Sequence, residues 1–166
     1  MYSKIKKELA PDKRTELFDI QFHLLNGAII LKGETTSKKA LSRLQDSLKY
    51  SQVNFKSEVR ILPDSSLENR QFAIAKNSVI NIRSNPKHSA ELGTQGLLGM
   101  ALRVLDKKGD FYRIQTPDNY ISWVDKGGIQ RMNKRDFDLW NASKKVLFTN
   151  NAGQVFASKN KNSTII

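Results

Sequence analysis

Two histidines and no cysteine bound the chemistry open to this chain. Without a thiol there is no cysteine nucleophile, no disulfide, no zinc–thiolate site and no thioredoxin-type exchange. His23 and His88 are the only imidazoles, and neither has a second His or a Cys at metal-ligand spacing. A Ser-His-Asp triad built on His88 has no Gly-x-Ser-x-Gly elbow to support it. Asp106, Asp110, Asp118 and Asp125 are dispersed beside turns, where Asp is favoured for backbone reasons, and nothing supports a glycosidase pair among them. Gly93, Gly96 and Gly99 recur every third residue but lack the strand-then-helix setting of a phosphate loop, so they read as easing a bent loop. No metal and no cofactor is expected. Binding chemistry remains. Glu91 lies within His88-Ser89-Ala90-Glu91-Leu92, and Tyr120 and Trp123 follow the turn Pro117-Asp118-Asn119. On residue types alone Glu91 pairs with nearby Arg83 or Lys87, and Tyr120 and Trp123 fill a core.

The elements that must position these residues can be read from periodicity. Residues 2–9 suit a short helix stopped before Pro11. Phe18, Ile20, Phe22 and Leu24 alternate with polar residues, which predicts a half-buried strand. Asn26-Gly27 then tolerates the positive φ of a tight hairpin, and Ala28–Gly33 returns as the second strand. Thr36 or Ser37 caps a helix with Ala40, Leu41, Leu44 and Leu48 at helical spacing. Val53, Phe55, Val59 and Ile61 alternate again and stop at Pro63. The first unit therefore reads α-β-β-α-β. After a polar connector the pattern changes to short strands at close spacing, over Ser78–Arg83, Gly99–Asp106, Asp110–Thr116 and Tyr120–Asp125. Turn residues separate them, which argues a small β-barrel. Residues 133–145 suit a helix with Phe137 and Trp140 inward, and Val146-Leu147-Phe148-Thr149 resumes β character before a turn at Asn150-Asn151-Ala152-Gly153. The segment from Gln154 to Ser163 weakly echoes Val79–Ser89, as a repeat begun and not completed would.

Charge narrows the partner less than its size suggests. The chain of 166 residues carries 28 Lys and Arg against 16 Asp and Glu, a net charge of +12. Residues 1–70 hold 13 basic and 9 acidic groups, 71–130 hold 8 and 5, and 131–166 hold 7 and 2. The excess is spread, with no dense basic block and no interleaved stacking aromatics, so nucleic acid is a poor fit. An apolar fraction of 39% arriving in periodic runs is that of a folded protein. No apolar stretch approaches the roughly 20 residues of a membrane span.

Two segments resemble known families. Phe18–Thr35, with its alternating strand, Asn-Gly turn and Ile-Ile-Leu-Lys-Gly-Glu-Thr return, resembles the BON domain, a family often working at membranes or in envelope assembly. Ser78-Val79-Ile80-Asn81-Ile82-Arg83-Ser84-Asn85-Pro86, His88–Leu92, Phe111-Tyr112 and Asp118–Val124 resemble a bacterial SH3 domain. More narrowly, they are similar to the first SH3 domain of NlpC-type cysteine peptidases of the gamma-D-glutamyl-L-diamino-acid endopeptidase group. Those enzymes cut peptidoglycan stem peptides and carry a second SH3 domain before a C-terminal catalytic domain, to which nothing in this sequence corresponds.

The resemblance implies an α+β chain: a BON-like α-β-β-α-β domain over 1–63, a connector over 64–77, an SH3-like β-barrel over 78–130, a linking helix over 131–145 and a partial second β unit, the start of another SH3-like domain, over 146–166. It implies that Glu91 and Tyr120 hold the free α-amine of the stem peptide's N-terminal L-Ala, with Arg83 and Trp123 structural or at the cleft. The chain itself would not be an enzyme. It would set specificity for a downstream NlpC-type catalytic domain, in the cell envelope or periplasm or outside the cell if a leader is absent from this sequence, with the cytoplasm as the other location left open. The alternative is a stand-alone envelope module that binds wall peptide through the SH3 part and anionic lipid through its charge and BON-like part.

Overall fold

A computed structural model describes residues 1–147, 149 and 153–165. The first unit contains α1 (Tyr2–Leu9), β1 (Phe18–Leu25), β2 (Ala28–Thr35), α2 (Lys38–Tyr50) and β3 (Phe55–Ile61). Its three strands lie in the order β1-β2-β3. β1 and β2 form an antiparallel hairpin, while β3 runs parallel to β2, as the crossover through α2 requires. Ser37 caps α2 by accepting the Ala40 N–H at 3.3 Å. Helical spacing then turns Ala40, Leu41, Leu44 and Leu48 inward, onto Phe18, Ile20 and Leu31 of the sheet. Tyr2 of α1 stacks on Phe18 with ring centroids 5.4 Å apart and donates its hydroxyl to the Phe18 carbonyl.

The alternation of β1 is buried only in part. Phe18 and Ile20 are inside, whereas Phe22 is exposed and Leu24 is 79% exposed. β1 is the edge of the sheet, and the Phe22 ring meets Tyr2 of α1 edge-on at 5.5 Å. Gly33 is required where β2 meets it: φ is +126°, and a Cβ there would stand 2.0 Å from the Asp19 carbonyl oxygen.

The second unit is a sheet of seven antiparallel strands, in the order β10-β4-β7-β8-β9-β5-β6, with a single hydrophobic core. They are β4 (Phe72–Ala75), β5 (Val79–Arg83), β6 (Leu92–Leu97), β7 (Ala101–Lys108), β8 (Phe111–Gln115), β9 (Ile121–Asp125) and β10 (Ile129–Met132). Leu67, Ile80, Ile82, Leu102, Val104, Ile114, Val124 and Ile129 fill it. Two differences from the sequence reading stand out. β4 lies within the range read as connector, yet it pairs with both β7 and β10, so the barrel begins near Phe72. β6 forms from a glycine-rich stretch read as a bent loop, because β5 supplies its ladder from Val79 opposite Leu97 to Arg83 opposite Leu92.

After β10, Asn133 caps α3 (Lys134–Ala142) through the Asp136 N–H. Phe137 stacks on Phe72 at 4.8 Å, and Phe137 and Trp140 are half-buried. The strand expected over Val146–Thr149 is absent at Val146, Leu147 and Thr149; Phe148 lies outside the described residues, as does the expected turn at Asn150–Ala152. Val146 and Leu147 are exposed, and an apolar run without a hydrogen-bonding neighbour does not become a strand. Beyond them, Phe156 and Ile165 form an isolated antiparallel bridge.

A bulge in β7 joins the two units. The register shifts between Val104 and Asp106, so Asp106 takes the place opposite Arg113 and follows Leu105 out of the barrel core. Val104 enters the barrel core, and Leu105 packs instead with Leu62, Ile121 and Leu17 of the connecting and N-terminal segments. An ionic cluster flanks this apolar seam. Arg60 donates to Glu34 at 2.8 Å and to Asp106 at 2.7 Å and approaches Asp64 at 3.3 Å, while Arg113 donates to Glu34. Burial pushes the Glu34 carboxyl up, but hydrogen bonds from Arg113 and Arg60 outweigh it and hold it below its ordinary value. Backbone bonds complete the seam: the Ile121 N–H donates to the Arg14 carbonyl at 2.6 Å, and the Asp64 N–H to the Leu105 carbonyl at 2.8 Å.

Candidate functional site

Glu91 is held by the backbone around it. Arg83, at the end of β5, donates from its guanidinium to the Ala90 carbonyl at 2.8 Å. The Ser84 N–H donates to the Glu91 carbonyl at 3.0 Å, and the Ser122 hydroxyl donates to the Arg83 carbonyl. These bonds tie the loop 84–91 to β5 and β9 and deliver Glu91 to the head of β6. The ion pair expected from residue types does not form: among the described residues Glu91 has no cation within salt-bridge reach. Arg83 is committed to the Ala90 carbonyl instead. The Glu91 side chain is exposed.

Tyr120 arrives from the other side. The Thr116 hydroxyl accepts the Tyr120 N–H at 3.0 Å, which closes the turn through Asn119, whose φ is +68°. The ring packs half-buried on the barrel core. Its hydroxyl stands over Gly93, where a Cβ would come within 2.6 Å of it. Gly93 lies two residues beyond Glu91, which directly precedes β6, so the phenol reaches the start of the strand that Glu91 leads into. Trp123 is only 7% exposed and carries the Arg113 guanidinium 4.6 Å from its ring centre.

β6 is the outer strand of its sheet: it pairs with β5 on one side, and among the described residues no strand pairs with the other. The site is thus a carboxylate and a phenol at the open edge of a β-barrel. Residues 82–129 match the family model described as the bacterial dipeptidyl-peptidase SH3 domain. This stretch is a bacterial SH3 domain. A comparison of the chain with curated proteins found no match. Within the matched residues lie Arg83, Glu91, Tyr120 and Trp123, with the loop that carries Glu91 and the strand whose Gly93 the Tyr120 hydroxyl covers.

A second concavity, of about 320 Å³, opens on the SH3 domain beyond Arg83. Its polar lining includes Asn77, Asn81, Arg83, His88 and Asp125. None of these except Arg83 was singled out for binding in the sequence. The signal lay in the ladder: Ile82 opposite Val124 and Arg83 opposite Trp123 put alternate residues of β5 and β9 on one outer face. Among the described residues there is no cluster of His, Asp or Glu suited to a metal ion.

Proposed function

We propose that this chain is a non-catalytic part of a bacterial cell-wall peptidase, and that its SH3 domain selects peptidoglycan stem peptides with a free N-terminal L-Ala. The observation that carries the reading is the exposed Glu91 carboxylate, without a cation among the described residues, two residues before the Gly93 that the Tyr120 hydroxyl covers on an open strand. A carboxylate gives an ammonium charge-assisted hydrogen bonds, and a phenol supplies a further acceptor and a ring face. A stem still joined to glycan through that nitrogen presents a neutral amide, which leaves Glu91 without a cation. Specificity of this kind comes from rejecting the wrong partner as much as from holding the right one.

Cleavage needs a nucleophile from elsewhere, because the sequence has no cysteine. In this reading a NlpC-type catalytic domain of the same protein supplies it in the cell envelope, the α-β-β-α-β unit is BON-like, and residues 146–166 begin a second SH3-like domain. The test is a titration of the chain with L-Ala-γ-D-Glu and with its N-acetylated form. Wild type should bind the free amine at least about tenfold more tightly, the equivalent of one charged hydrogen bond, and Glu91→Gln should abolish that preference. Equal binding of the two peptides by wild type overturns the proposal.

A further inference from the structure

The concavity beyond Arg83 has a feature that the Glu91 site does not use: opposite charges line it without pairing to each other. Arg83 spends one guanidinium nitrogen on the Ala90 carbonyl, and among the described residues its other N–H groups have no acceptor. Asp125 accepts the Gly127 N–H at 2.6 Å through one oxygen, while its other oxygen faces His88 Nε2 at 3.5 Å. A carboxylate has about four lone-pair sites, so most of its accepting capacity is left. The ladder fixes their relation. Arg83 pairs with Trp123 on β9, so Asp125, two residues on, lies on the diagonal from Arg83 and on the same face. Diagonal neighbours stand roughly 7–8 Å apart at the backbone, a gap that a small ligand can bridge.

The remaining lining has the same character. Asn77 and Asn81 bring amides, and the Asn81 oxygen already accepts from Gln95, which leaves its N–H groups as donors. Phe111 forms an apolar wall with the His88 ring 5.0 Å from it. At about 320 Å³ the space is at the small end of ligand pockets. A simple anion would meet Asp125 and a simple cation would meet Arg83. The complement is a dipolar group.

We propose that this cleft binds an amino-acid head, its ammonium on Asp125 and its carboxylate on Arg83, and that in the cell wall this head is the free end of the diamino dicarboxylic residue of the stem peptide. The source of the head rests on the function proposed above; the dipolar chemistry rests on the cleft alone. Arg83 then serves both sites, bonding the Glu91 loop on one side and the ligand on the other.

The test is an amide NMR titration of the whole chain with diaminopimelate, with pimelate, which lacks the amines, and with cadaverine, which lacks the carboxylates. Diaminopimelate should shift amides at 77–83, 88 and 124–128 and bind at least about tenfold more tightly than either analogue. Asp125→Asn keeps an acceptor for the Gly127 N–H, and should weaken diaminopimelate about tenfold while leaving L-Ala-γ-D-Glu binding unchanged. Arg83→Gln, which also loosens the Glu91 loop, should weaken both. Equal affinity for pimelate, shifts confined to 91–93 and 120, or no saturable shift overturns the inference. Should the dipeptide test fail while diaminopimelate binds as described, the cleft stands and only the assignment of Glu91 falls.

Discussion

Glu34→Gln probes the seam between the two units, and its cost can be bracketed from the structure. Glu34 accepts from Arg60 at 2.8 Å and from Arg113; its own side chain is 26% exposed and that of Arg113 15%. An exposed ion pair contributes about 0–1 kcal/mol, and breaking a fully buried one costs about 3–5 kcal/mol. Glu34 lies between these limits. Asp106 and Asp64 also remain to hold the arginines, so the variant should lose about 2 kcal/mol. Urea unfolding followed by tryptophan fluorescence reads this directly, since Trp123 packs under Arg113 at the seam. Glu58→Gln, which removes an exposed pair with Lys56, is the control and should leave the midpoint in place. The pH dependence has a definite sign. The folded Glu34 carboxyl sits below its ordinary 4.5, so its stabilisation is complete above about pH 4.5 and disappears as pH falls through the lower folded value. Wild type and variant should therefore converge on acidification. An unchanged midpoint at neutral pH, or a gap that widens in acid, refutes the ionic account of the seam.

Two further substitutions separate folding from recognition. Gly33→Ala puts a Cβ 2.0 Å from the Asp19 carbonyl at a positive φ, and should cost at least about 3 kcal/mol, seen as early loss of amide-exchange protection in β1 and β2. Gly93→Ala meets only the far end of a side chain, so the barrel should keep its circular dichroism spectrum. The displaced Tyr120 hydroxyl should then lower the preference for a free amine by up to about tenfold with Glu91 intact; an unaltered preference removes Tyr120 from the site.

Sequence periodicity exposed those elements that carry their own signal. Leu41, Leu44 and Leu48 show a helix because burial recurs at its pitch, and Asn26-Gly27 shows a hairpin because φ is positive at both residues. β4 was hidden because Phe72–Ala75 is too short to display alternation, and β6 because Leu-Gly-Thr-Gln-Gly-Leu has the composition of a loop. Both are strands on account of neighbours distant in sequence. The candidate site was legible only through resemblance. Nothing in the types of Glu91 and Tyr120 indicates that Arg83 prefers a carbonyl to Glu91, or that the missing Cβ of Gly93 makes room for a phenol. The seam was the least visible part: Glu34 and Arg113 are 79 residues apart, and a bulge, not a pattern, sets Asp106 opposite Arg113.

That bulge and β4 give the SH3 domain a consequence for how such modules are cut and shuffled. The family match begins at residue 82, inside β5, and ends at residue 129, the first residue of β10. A piece trimmed to those bounds would lose the strand between β7 and β10, and with it Leu67, Ala73 and Ala75 of the core. It would also turn Leu105 and Ile121 toward water and leave Asp106 without Arg60. The matched stretch is thus smaller than the barrel and its core, and the N-terminal neighbour covers part of the barrel's exterior.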